Sequence, residues 1–162
     1  MAIADWSTLL SVQSGAAATL TGLVFVAISV NLAKILAIPG LPGRAAESML
    51  QFLEVFLIST VALIPGQPER ALAVEVTVIA FALWFAVMAG QIRYLRQRSG
   101  HPWSWFVQRA FLNQVATLPF CVAGIALLLD MPGALYWLVP GFIFSFIAGG
   151  VSAWVLLVEI LR

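Results

Sequence analysis

The chain has 162 residues, of which 62% are hydrophobic and only 9% charged, with a formal net charge of +1 and a mean hydropathy of +1.04. A soluble domain carries about a quarter of its residues as charges, so this composition excludes a soluble fold and indicates a single-domain polytopic membrane protein, with room for four or five spans of about 20 residues. The near-neutral balance and the lack of a basic run exclude nucleic acid as a partner, and Cys121, the single cysteine, permits no internal disulfide.

The start, Met1-Ala-Ile-Ala-Asp-Trp6, lacks the positive stretch of a cleaved signal peptide, so the first apolar run is expected to be a permanent span. Residues 5 to 14 read as a short amphipathic lead-in, in which Asp5 or Ser7 caps a helix and Trp6, Leu9 and Leu10 lie at the lipid interface. The first span is expected over about 15–38. Gly15, Thr19, Gly22 and Ser29 give it a narrow seam where another backbone can approach closely. Asn31 and Lys34 fall on the opposite side at about 100° per residue. Two faces that avoid lipid place this helix near the centre of a bundle.

Pro39-Gly-Leu-Pro-Gly43 reads as two successive turns, and the second span is expected over about 45–65, up to Pro65-Gly66-Gln67-Pro68. Within it Glu47, Gln51 and Glu54 recur at i, i+4 and i+7, one polar stripe on a helix. A lone ionised group at membrane depth costs at least about 2.5–3.5 kcal/mol. Glu54 is therefore expected to be neutral, to pair with a base such as Arg109 or Lys34, or to face water.

The third span, about 71–95, leads into a connector containing Arg96, Arg98, His101, Trp103 and Trp105. It reads as a positive, aromatic-flanked membrane anchor, with docking of a protein or of anionic lipid as the alternative. The fourth span, about 105–130, opens with Gln108, Arg109, Asn113 and Gln114, and a kink is expected at Pro119. Asp130-Met-Pro-Gly133 is so short that the fourth and fifth spans must be antiparallel neighbours. The fifth, about 134–161, contains a Pro140-Gly141 interruption and a seam of Ser145, Gly149 and Ser152 that ends at Glu159.

With five spans and the N-terminus outside, Lys34, Arg44, Arg93, Arg96, Arg98, Arg109 and Arg162 all fall on the cytoplasmic side and only Arg70 outside. A four-span version with one re-entrant segment still favours this orientation. Measured from those helix ends, Asn31, Glu54 and Asn113 are expected roughly 10–12 Å deep, with Lys34, Gln91, Arg109 and Glu159 shallower. Together with Gln51 they form a candidate intramembrane cluster. It serves either as a proton, ion or head-group site or as a polar clasp that fixes helix register. The two small-residue seams likewise suit packing within one subunit, an oligomer interface or a pore lining.

Enzymatic signals are sparse. His101 is the only histidine and Lys34 the only lysine, and no glycine-rich phosphate loop is present. No catalytic residue, metal or cofactor is therefore expected.

The runs Gly15-Ala-Ala-Ala-Thr-Leu-Thr-Gly-Leu-Val-Phe-Val-Ala-Ile-Ser-Val-Asn-Leu32 and Leu41-Pro-Gly-Arg-Ala-Ala-Glu47 resemble a family of small bacterial integral membrane proteins of unknown function, some of whose members are labelled modulators of the FtsH protease. The likeness covers roughly the first 65 residues and implies a regulator, with no functional residues to carry over. The expectation is an all-α, five-helix bundle of the bacterial inner membrane, N-terminus out and C-terminus in. Its expected partners are membrane lipids and either its own copies or a larger membrane complex, to which it is a non-enzymatic regulator or accessory subunit. The alternative is an oligomeric channel or proton-linked transporter with Glu54 in the pathway.

Overall fold

The computed structural model describes residues 3–97 and 103–161. Arg98, His101 and Arg162 lie outside them, as does the side chain of Trp105. Among the described residues six α-helices follow one another: α1 (Ser7–Val30), α2 (Leu32–Ala37), α3 (Leu41–Ala62), α4 (Glu69–Gln97), α5 (Trp103–Leu128) and α6 (Leu138–Leu161). Among the described residues five of them, all but the six-residue α2, are long and apolar enough to cross a membrane. The protein is a multi-pass, all-α integral membrane protein.

Helix ends follow local chemistry. Gly40, at φ +90°, takes the left-handed conformation ahead of α3, and Pro42 occupies the first turn, where its missing N–H loses no hydrogen bond. The second Pro-Gly pair is thus the start of a helix and not a second turn. Pro140 and Gly141 likewise sit in the first turn of α6, behind a 3-10 turn at Ala134–Trp137, and do not interrupt it. The expected first span is divided at Asn31, where φ −109° and ψ 16° break the helix; the Asn31 amide donates to the Ala27 carbonyl at 3.0 Å and the backbone N–H to Ile28.

α3 is central. It packs on α1, α4 and α6, and α5 closes the ring between α4 and α6, so α3 to α6 form a four-helix bundle with α1 alongside. The connections alternate direction, which sets α3 and α5 parallel across the bundle. The core joins Val55 and Ile58 of α3, Leu72, Val76 and Ala80 of α4, Phe120 and Ala123 of α5, and Phe142 of α6. Close approaches depend on glycine: a Cβ at Gly124 would stand 2.8 Å from the Thr77 Cα, and one at Gly149 would stand 2.6 Å from the Phe52 ring.

α1 does not sit at the centre of the bundle. Only Leu10, Ala17 and Val24 are buried along it, a line repeating every seven residues against α3. Gly15, Gly22 and Ser29 repeat with the same spacing about 160° away around the helix. They are exposed, with nothing within 4 Å of either glycine's missing Cβ. The small-residue seam expected to pack inside the bundle therefore faces outward, and it was a poor guide to burial because glycine carries no polar side chain that must be hidden. Trp6 and Leu10, expected at the lipid interface, are instead core residues, with Trp6 edge-on to Tyr136 at 4.9 Å.

Gly124→Ala should lower the stability of the detergent-solubilised protein by about 1–3 kcal/mol, because the Thr77 Cα and backbone N, which cannot swing aside, occupy the space together with its hydroxyl. Gly90→Ala, with open space at its Cβ position, should leave thermal unfolding within about 0.5 kcal/mol of wild type. Circular dichroism melting of the two variants checks the contrast.

Candidate functional site

The polar stripe of α3 points into the bundle: Glu47, Ser48, Gln51, Glu54 and Ser59 are all buried. Across from it α5 presents Arg109, Asn113 and Thr117. The two helices start at the same end and run parallel across the bundle, so residues separated by a constant number of positions share a level. Glu47 and Arg109 are 62 apart, and Oε2 of Glu47 accepts from Nε of Arg109 at 2.7 Å, with the two side chains only 4% and 9% exposed. Gln51 and Asn113 are also 62 apart, and the Gln51 amide donates to Oδ1 of Asn113 at 3.4 Å.

Carrying this register one turn further brings Glu54 level with Ala116. It is 1% exposed, its Oε1 has no hydrogen-bond partner, and no charged side chain stands against it among the described residues. The expected pairing of Glu54 with Arg109 or Lys34 is thus replaced by Glu47–Arg109. Helix geometry accounts for the change: Glu54 lies about 20 Å from the start of α3 and Arg109 only about 9 Å from the start of α5. Glu54 is consequently deeper than the 10–12 Å expected, and the second polar level belongs to Gln51 and Asn113.

The other expected members separate into two groups. Asn31 bonds to its own helix, and Lys34 is exposed on α2, so neither belongs to the cluster. Glu159 lies at the basic end of α6, on the wall of an open groove that Arg44, Arg109 and Asn113 also line. The α6 seam packs within the chain: Ser145 and Ser152 are buried, the Ser48 hydroxyl donates to the Gly149 carbonyl at 2.9 Å, and Ser145 reaches the Ala116 carbonyl at 3.5 Å.

Two residues not anticipated for the site complete it. The Tyr94 ring lies 4.8 Å from the Arg109 guanidinium carbon, stacks near Phe106 and covers Gly40, so one aromatic ties α4 to α5 and to the turn before α3. Trp84 donates its indole N–H to Gln114 Oε1 at 2.8 Å, which adds a polar clamp between α4 and α5. Several buried atoms have no partner within the described residues, among them Gln51 Oε1, Asn113 Nδ2, Ser59 Oγ and Gln91 Nε2. The interior therefore combines one compensated charge pair, one amide pair and a deeper carboxyl without a counter-charge. No group of three His, Cys, Asp or Glu side chains suited to a metal ion occurs among the described residues.

Comparison of this chain with protein-family models, with curated proteins and with solved structures returned no match.

Glu47→Gln and Arg109→Gln should each destabilise the protein by about 3–5 kcal/mol, since either leaves a buried charge alone. The double variant should lose much less than the sum of the two. A double-mutant cycle of unfolding in mild detergent measures the coupling, and additive losses would show that the pair is not joined as described.

Proposed function

We propose that the protein is a non-enzymatic regulator or accessory subunit of the bacterial inner membrane, which associates through α1 with its own copies or with a helix of a larger membrane complex. The observation that carries this reading is the outward Gly15–Gly22–Ser29 line on a helix held to the bundle by one face. Small residues let a second transmembrane backbone approach closely. The hydroxyls on this side are already satisfied, Thr19 by the Gly15 carbonyl and Ser29 by that of Phe25, so the face can meet either lipid or another helix. The resemblance of the first 65 residues to small membrane proteins labelled protease modulators supports the regulatory part.

An N-out, C-in orientation belongs to the same reading. The end that carries Lys34, Arg44, Arg93, Arg96 and Arg109 would face the cytoplasm, with Arg70 at the opposite end.

In a Cys121→Ser background, Gly22→Cys should form oxidative cross-links in native membranes to a second copy or to a companion protein, whereas Ala17→Cys on the buried line should not. Extraction in native lipid particles should recover the same species. Monomers alone, without a companion and without cross-links at position 22, would reject the proposal.

Glu54 favours a second reading, a channel or proton-linked transporter. An acid buried in mid-bundle without a cation is the kind of group through which membrane proteins relay protons or ions. Reconstituted protein would then carry proton or cation flux that Glu54→Gln abolishes while leaving thermal stability intact. A silent wild type under pH and salt gradients would remove this reading.

A further inference from the structure

At the basic end, α5 and α6 leave an open groove of about 390 Å³ with two unlike halves. Its polar half holds Arg44, Gln108 and Arg109, and its apolar half is formed by Val151, Trp154 and Val155 of α6. We propose that this groove binds an anionic phospholipid, with the phosphate on the two arginines and the start of an acyl chain along α6.

Four observations support the assignment. The Arg44 guanidinium, half-buried, makes no hydrogen bond or direct ion pair among the described residues, although Glu47 and Glu159 attract it and Arg109 repels it from further away. Arg109 engages Glu47 through Nε alone, and its Nη2 reaches the space above Gly43, where a Cβ would stand only 3.2 Å away. Planar guanidinium groups with free N–H donors suit the oxygens of a phosphate diester. The arginines sit about 5–9 Å from their helix starts, within the first turns at the basic end of the bundle. Finally, Val151 and Trp154 are 45% and 69% exposed, leaving apolar surface on a helix long enough to span a membrane, which suits an acyl chain.

Two acids bear on the site. Glu47 is held by Arg109, while Glu159 lines the groove without an ion pair to either arginine among the described residues. Glu159 opposes an incoming phosphate and so weakens the hold of the two arginines on it. The anion is taken to belong to a lipid and not to free phosphate because half of the lining is apolar.

Delipidated full-length protein, titrated with phosphatidylglycerol or with phosphatidylcholine of the same chains and analysed by native mass spectrometry, tests this directly. The wild type should retain one phosphatidylglycerol per chain at activation energies that strip phosphatidylcholine. Arg44→Gln should lower that retention at least fivefold with little change in the lipid-free melting temperature, because Arg44 makes no direct ion pair and its attraction to Glu47 and Glu159 is opposed by repulsion from Arg109. Glu159→Gln should raise retention, and Val155→Trp, which fills the apolar half, should abolish it with both arginines present. Equal retention of the two lipids, or wild-type binding by Arg44→Gln, would overturn the proposal. So would protection by inorganic phosphate alone that is indifferent to Val155→Trp, since that result describes an anion site without a lipid.

Discussion

Within hydrocarbon a polar side chain has no water to turn to, and α3 carries five buried ones, Glu47, Ser48, Gln51, Glu54 and Ser59. Everything else in the bundle is arranged around the need to cover them. Glu47 and Arg109 meet that need most fully, because each neutralises a charge that would otherwise be buried alone. Their 2.7 Å contact fixes the axial position of α3 against α5 although the two helices are diagonal to each other and share little direct packing. The Gln51–Asn113 contact one turn deeper repeats the same offset of 62 residues. A register set twice is hard to slip, because sliding either helix by a turn would break both contacts together.

The packing of the remaining helices follows from that register. With α3 and α5 held parallel, α4 and α6 fill the two sides, and their contacts are adjusted by residues too small to obstruct. Gly124 admits the Thr77 backbone, Gly141 the Phe120 ring and Gly149 the Phe52 ring. Tyr94 then closes the basic end over Arg109. α1 joins this arrangement along one face, where Leu10, Ala17 and Val24 are buried, Ile28 packs against the bundle and Ser14 bonds Thr60, and its opposite face is available to lipid or to another helix.

Much of the architecture is legible in the residues, and what is not has identifiable physical causes. Apolar runs punctuated by Pro-Gly pairs mark four of the five long helices to within a few positions, whereas the first, expected over about 15–38, begins and ends eight residues earlier at Ser7–Val30. The i, i+4, i+7 spacing of Glu47, Gln51 and Glu54 states correctly that they share a face turned from lipid. That spacing gives a direction around the helix but no axial alignment with another one. It therefore could not decide which acid meets Arg109, since that depends on where α5 begins relative to α3. Asn31 misled for a different reason: an amide at a helix break can satisfy itself on a carbonyl four residues back, which sequence cannot distinguish from an amide awaiting a partner in another helix. The glycine line of α1 misled because small residues are equally at home against protein and against lipid. The Ser145–Gly149–Ser152 line has the same character yet is buried, and only the helix around it tells the two apart.

The Glu47–Arg109 pair also bears on how the protein is made. The acid leaves the ribosome 62 residues ahead of its arginine, so α3 is made while the partner of its buried carboxylate does not yet exist. That carboxylate can meet its cation only after α4 and the start of α5 have also been made. The first helix, which contributes no buried charge, is under no such delay and can settle in the membrane while the rest of the chain is still being translated.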